Sequence, residues 1–262
     1  MRCAAGLALA ALAIAACTEP ATITANDTAR NGGHHAMALP DLPRSRIVLM
    51  SSLPLVYGDR ADMNALIAGK GDPHPLYAAL DAAHDLVVAD VLDSDVLAKA
   101  DLALLIQPRA LPPQALVALD GYVRAGGKLL LFADPQLEWP SRLGLADPRG
   151  PVRSALTSPL LAHWGLELIN PEMDAVTLPK SGAILHYAGQ FVPIPGKTGD
   201  AGCMLGEGGY VARCRLGRGR AILVADADLL NPTENGGSAG SAIANERFVG
   251  GLLHDLLAGK TS

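Results

Sequence analysis

The short signatures that announce nucleotide chemistry are missing from this chain. It contains no GxxxxGK[ST] and no GxGxxG pattern, which excludes a nucleotide site of either common kind. No CxxC occurs and no GxSxG surrounds Ser51 or Ser52, so a redox pair, a paired metal site or a serine hydrolase centre at those serines has no local support. Positive charge is not in excess either. The formal net charge is −5, and only Arg213, Arg215, Arg218 and Arg220 stand close together, which argues against nucleic acid as a partner and reads as a solvated face. The one markedly apolar N-terminal run, Ala4 to Ala15, falls short of the ~20 residues that span a bilayer.

What is present at the N-terminus is a processing signal. Arg2 precedes the apolar run, and Ile14-Ala15-Ala16-Cys17 has the spacing of a bacterial lipoprotein box, in which the cysteine is diacylated before cleavage. An ordinary signal cut near Ala16, or an uncleaved anchor, is the alternative. The expected organisation is a signal over residues 1–16, a lipid-anchored flexible tether over 17–44 and one α/β domain over 45–260. His34 and His35 fall in the tether, where adjacent histidines lack fixed metal geometry. Export also bears on the cysteines. Cys203 and Cys214, separated by Gly206, Gly208 and Gly209, can face each other across a hairpin as a disulfide, with a metal pair as the rival.

The domain is organised around Asp101 to Pro135. Leu102 to Ile106 and Lys128 to Ala133 are short, wholly apolar runs, as expected of strands covered on both faces, and a helix opened by Pro112-Pro113 and closed by Gly126-Gly127 joins them. Arg46 to Met50, Leu86 to Ala89 and Arg220 to Ala225 read as further strands, with a last helix over Ser241 to Ala258 capped by Gly259. Asp93 caps a short helical link from Ser94. Ser158 to Trp164 reads as a helix with Gly165 as its C-cap, followed by a strand over Leu166 to Ile169. The region 174–216 changes to short β-like pieces, expected as an antiparallel extension containing the cysteine hairpin. In such a sheet ligands bind along the carboxyl ends of the strands. That directs attention to Ser51, Ser52, Gln107, Asp134, Asp226 and Asp228, which follow apolar strands. An acidic cluster there can hold a cation or act as a base, while aspartates at strand ends commonly stabilise turns. Trp139, in a proline-rich loop, reads as a loop anchor or an exposed contact.

Four stretches, IVLMSSLPLVYG, ADLALLIQPRALPPQALVALDGYVRAGGKLLLFADP, SPLLAHWGLEL and GRGRAILVADADLL with NERFVGGLLHDLLAG, resemble the auxiliary domain of uncharacterised ABC-type transport systems, including gliding-motility-associated (GldG-like) proteins. The resemblance spans most of Ile47 to Gly259. It implies a flavodoxin-like, mostly parallel sheet similar to class I glutamine amidotransferase domains, without assigned catalysis, and a protein partner in the cell envelope; no cofactor or metal is expected. Those amidotransferases carry a cysteine at a strand-to-helix elbow, where this chain has Asp134-Pro135. Unlike the membrane-spanning members, this chain has no transmembrane helix after Cys17. The expectation is therefore a non-enzymatic, lipid-tethered periplasmic module whose carboxyl edge is a binding surface. The alternative is an amide or ester hydrolase using Ser51 or the aspartates at that edge.

Overall fold

A computed structural model describes residues 37–58, 71–145, 147–196, 202–231 and 239–258. The expected signal over residues 1–16, Cys17, the histidine pair and Gly259 lie outside the described residues. Five strands, β1 (Arg46–Ser51), β2 (Asp85–Val88), β3 (Leu102–Ile106), β4 (Lys128–Phe132) and β11 (Gly219–Val224), pair in parallel in the order β2-β1-β3-β4-β11. This is the flavodoxin-like order, with its switch point between β1 and β3. Beyond β11 the sheet continues antiparallel through β10 (Val211–Leu216) to the edge strand β9 (Gly202–Gly206).

The strands are apolar on both sides because both sides are covered. Ile47, Leu49, Leu104, Ile106, Leu130, Phe132, Ile222 and Val224 pack with α1 (Pro75–Ala83) and α5 (Ala239–Leu257). The alternate residues Val48, Ala103, Leu105, Leu129, Leu131 and Leu223 pack with α2 (Ser94–Leu97), α3 (Pro113–Arg124) and α4 (Ser158–His163). A period of two inside a layered sheet thus fills two cores from one strand.

The local signals act as read. The Asp93 side chain accepts from Val96 N at 2.8 Å, and Gly165 takes the left-handed conformation, φ +78°, that ends α4. The strand Leu166–Ile169, β5, forms as read and pairs antiparallel with β8 (Gln190–Pro193), apart from the large sheet. Two features differ from the expectation. β6 (Ala175–Thr177) and β7 (Ile184–His186) form a second separate ribbon, so region 174–216 divides between two small ribbons and the β9–β10 hairpin. The expected tether is also partly packed. Met37 is 7 % exposed, Leu39 and Leu42 lie against the core, and the Pro40 ring closes on Gly250 of α5. Apolar side chains spaced too irregularly to show a period still find burial there.

Candidate functional site

The switch point is closed by side chains. At the end of β1, the Ser51 hydroxyl accepts from Leu53 N at 2.9 Å, turning the chain. The Ser52 hydroxyl donates to Gln107 O at 2.6 Å and accepts from Val152 N at 3.1 Å. Gln107, one residue past β3, is 0 % exposed and sits at φ +43°, a left-handed conformation that costs a non-glycine residue on the order of 1 kcal/mol. Its amide supplies compensation. Nε2 donates to Asp134 O and Val152 O at 2.9 and 3.0 Å, while Oε1 accepts from Asp134 N at 2.8 Å. One side chain therefore joins the ends of β3 and β4 to the loop above them. The strained residue stands after β3, beside the strand that ends in Asp134-Pro135.

The three aspartates converge on the same edge and face the main chain. Asp134 accepts from Gln136 N and Ala227 N at 2.8 and 3.0 Å, and Asp226 from Leu229 N and His186 N at 3.0 and 2.8 Å. Asp228 accepts from Glu138 N at 2.6 Å, crossing to the loop after β4. All three are fully buried. Desolvation pushes Asp134 up to about 6 against the pull of its backbone donors. Desolvation, reinforced by the Asp134 charge, drives Asp226 well above the usual carboxylate range. The edge residues are thus brought together as the strand order requires, but they lie beneath the surface. Only Ser51 and its neighbours in the loops reach solvent.

Over this edge lies a roof formed by residues 135–145 and 147–153. Trp139 is 6 % exposed and packs on His74, ring centroids 5.7 Å apart, so it is the loop anchor. Arg153 clamps the other end, Nη1 donating to Trp139 O at 2.6 Å. His74 itself went unread in the sequence. Its Nδ1 accepts from Leu76 N as the cap of α1, which fixes the Nε2–H tautomer that donates to Leu230 O at 2.9 Å. At the roof tip Leu145 is 85 % exposed. One further pattern, Gly236-Gly237-Ser238-Ala239-Gly240, has GxSxG spacing, but β11 ends well before it at Val224 and Ser238 lies outside the described residues. Among the described residues no group of three His, Cys, Asp or Glu side chains is arranged to hold a metal ion. Cys203 and Cys214 are joined as a disulfide between directly paired residues of β9 and β10, in place of the rival metal pair.

A mostly parallel sheet in flavodoxin order, with its ligand edge sealed by buried side chains and an antiparallel hairpin at one side, defines a flavodoxin-like α/β domain. The solved mmIFT52 N-terminal domain is similar at 12 % identity and a TM-score of 0.50, covering 83 % of this chain and 100 % of that one, which shows the shared fold. A family model described as ABC-type uncharacterized transport system matches residues 44–189, and the chain belongs to that auxiliary family. Two other solved structures are more distant. A putative ThuA-like protein from Bacteroides uniformis has 11 % identity and a TM-score of 0.44 over 87 % of this chain and 97 % of that one. An exo-beta-1,4-mannosidase from Opitutaceae bacterium strain TAV5 has 13 % identity and a TM-score of 0.41 over 79 % of this chain, which spans 36 % of the mannosidase chain. No curated protein sequence matches the chain. The resemblance read to Gly259 is thus matched through the end of β7, before the cysteine hairpin.

Proposed function

We propose that the protein is an exported, lipid-anchored module on the periplasmic face of a bacterial membrane, without catalysis of its own, that supports an ABC-type transport system by binding a protein of the cell envelope. The observation that carries this reading is the use made of the carboxyl edge. In an enzyme of this architecture the strand ends would present reactive groups to a cleft. Here Ser52, Gln107, Asp134, Asp226 and Asp228 bind main-chain groups, and the roof they hold carries the solvent face. Membership of the auxiliary family supplies the transport context. The Ile14 to Cys17 box supports the anchor, and the Cys203–Cys214 bridge suits an oxidising compartment.

On this reading the polar residues act as a scaffold and the roof as the contact. An exposed apolar tip such as Leu145 is the sort of side chain whose burial in a partner contributes more than ~1 kcal/mol. The test compares capture of the transporter subunits by wild type, Leu145→Asp and Ser51→Ala, alongside turnover of an amide and ester panel. Leu145→Asp should lower capture at least fivefold, with Ser51→Ala unchanged and no turnover above background. Hydrolysis by the wild type that disappears in folded Ser51→Ala or Asp134→Ala would establish the enzyme in its place.

A further inference from the structure

The outermost strand on the antiparallel side of the large sheet is unguarded. β9 reads Gly-Cys-Met-Leu-Gly over Gly202–Gly206, and among the described residues it pairs only with β10. Edge strands are ordinarily protected from further pairing by a charged side chain, a proline or a bulge. β9 has none of these, since its register with β10 runs unbroken and neither a charge nor a proline lies within it. Met204 is instead 63 % exposed and Leu205 37 %. At the opposite margin β2 opens on the charge of Asp85, which pairs with Arg46.

The register fixes which main-chain groups this margin offers. Ala225 N donates to Tyr210 O at 2.9 Å, so Tyr210 turns its main chain toward the β11 side. The β10–β11 ladder has no bulge, so Ala212, Cys214 and Leu216 do the same, and Val211, Arg213 and Arg215 turn toward β9. Their partners Gly206, Met204 and Gly202 therefore face β10, and the N–H and C=O groups of Cys203 and Leu205 point outward. The Cα separation of Cys203 and Cys214, 3.9 Å, agrees, because opposed residues that exchange no hydrogen bonds stand closer. Their disulfide also locks this phase, since β9 cannot slip along β10 while it is intact.

A second copy of the same strand satisfies such an edge. Laid antiparallel about a two-fold axis at Met204, Cys203 falls opposite Leu205 of the copy and Leu205 opposite Cys203 of the copy, so every outward group of β9 finds its complement. Gly202 falls opposite Gly206 of the copy, and with no side chain on either, nothing obstructs the ends. Met204 meets Met204 of the copy at the axis, in the class of pair whose side chains approach most closely, and no like charges are opposed within the strand. A foreign strand would require no such symmetry, whereas Gly-Cys-Met-Leu-Gly carries small residues at both ends and its largest exposed side chain at the centre. We propose that β9 pairs with β9 of a second copy of this chain, joining the two large sheets into one. A pairing of 5 residues a side buries less than the ~1,200 Å² of a stable soluble complex, so the association is weak in dilute solution.

The experiment oxidises the full chain carrying Met204→Cys at high protein concentration and maps the peptides after mixing isotopically light and heavy protein. Most of the chain should become a dimer linked through position 204 of both copies, with the Cys203–Cys214 bridge intact. Val117→Cys, at an exposed site on α3, should stay monomeric. Adding Leu205→Pro to Met204→Cys removes an outward donor and no bond to β10, and should lower the cross-linked yield at least tenfold. Met204→Lys, which sets like charges against each other at the axis, should weaken self-association of the otherwise wild-type chain at least tenfold in sedimentation equilibrium. Monomeric Met204→Cys after oxidation, a yield indifferent to Leu205→Pro, or self-association unchanged by Met204→Lys would overturn the proposal. Cross-linking in membranes through position 204 to a different protein would overturn it too, giving the edge to a foreign strand.

Discussion

Asp134 and Asp226 are two fully buried carboxyl groups at the carboxyl edge, the Asp134 charge acting on Asp226, while four backbone amides donate to their oxygens. Two such groups in one site cannot both ionise freely. Burial holds Asp134 near 6 and Asp226 well above its usual range, so the folded chain binds protons more tightly than the unfolded chain. The stability from this pair is complete below the unfolded pKa of ~3.9 and is lost as pH rises through the folded values.

The expected pH dependence follows from that sign. Urea unfolding of wild type and Asp134→Asn should diverge, with the wild type losing up to about 3 kcal/mol relative to the variant between pH 4 and 7.5. His84, buried and with its pKa lowered by desolvation and by Arg44, acts in the opposite direction, destabilising both proteins below ~6.5. Comparing the two proteins cancels its effect. Identical pH slopes would remove the account of a proton-binding buried pair.

A second prediction contrasts two glycines. A Cβ on Gly219 would lie 1.9 Å from Val123 O and 2.3 Å from Gly127 O, where backbone meets backbone at the start of β11. Gly219→Ala should cost more than ~3 kcal/mol in thermal or urea unfolding. Gly121 of α3 has nothing within 4 Å of its Cβ position, so Gly121→Ala should raise stability by about 1 kcal/mol. A neutral Gly219→Ala would contradict the packing at the β10–β11 turn.

The third concerns the bridge. Non-reducing peptide mapping should find Cys203 linked to Cys214, and the pair of Cys→Ser substitutions should cost roughly 3 kcal/mol by the chain-entropy argument. Because among the described residues β9 pairs only with β10, the loss should appear first as faster amide exchange over residues 202–206. Free thiols in protein isolated without reductant would end the prediction.

The fourth tests the anchor. Intact mass of membrane-extracted protein should begin at an acylated Cys17, and Cys17→Ser should leave the membrane fraction, since each buried methylene contributes ~0.8 kcal/mol. A wild-type protein that is soluble and unmodified would contradict it.

Much of the central sheet could be read from sequence because its signals are local. Leu102–Ile106 and Lys128–Phe132 are apolar throughout, Pro113 starts α3, and Asp93 caps α2 with its own side chain. The candidate edge was legible in part, since strand ends in a parallel sheet must share an edge. What the residues do there depends on contacts across 27 to 100 positions, Gln107 with Asp134 and Ser52 with Val152. No local pattern encodes those, just as none told that β5 would leave the large sheet for β8 or that His74 would cap α1.

The N-terminal segment leads directly into β1, which lies between β2 and β3 and runs parallel to both. Force applied to the chain ahead of β1 would first have to free Met37, Leu39 and Leu42 from the core and would then pull β1 along its own axis. Its bonds to both neighbours would then be loaded together in shear, rather than opened one at a time as at a sheet margin. A domain pulled from this end would therefore resist through a strand paired on both of its sides.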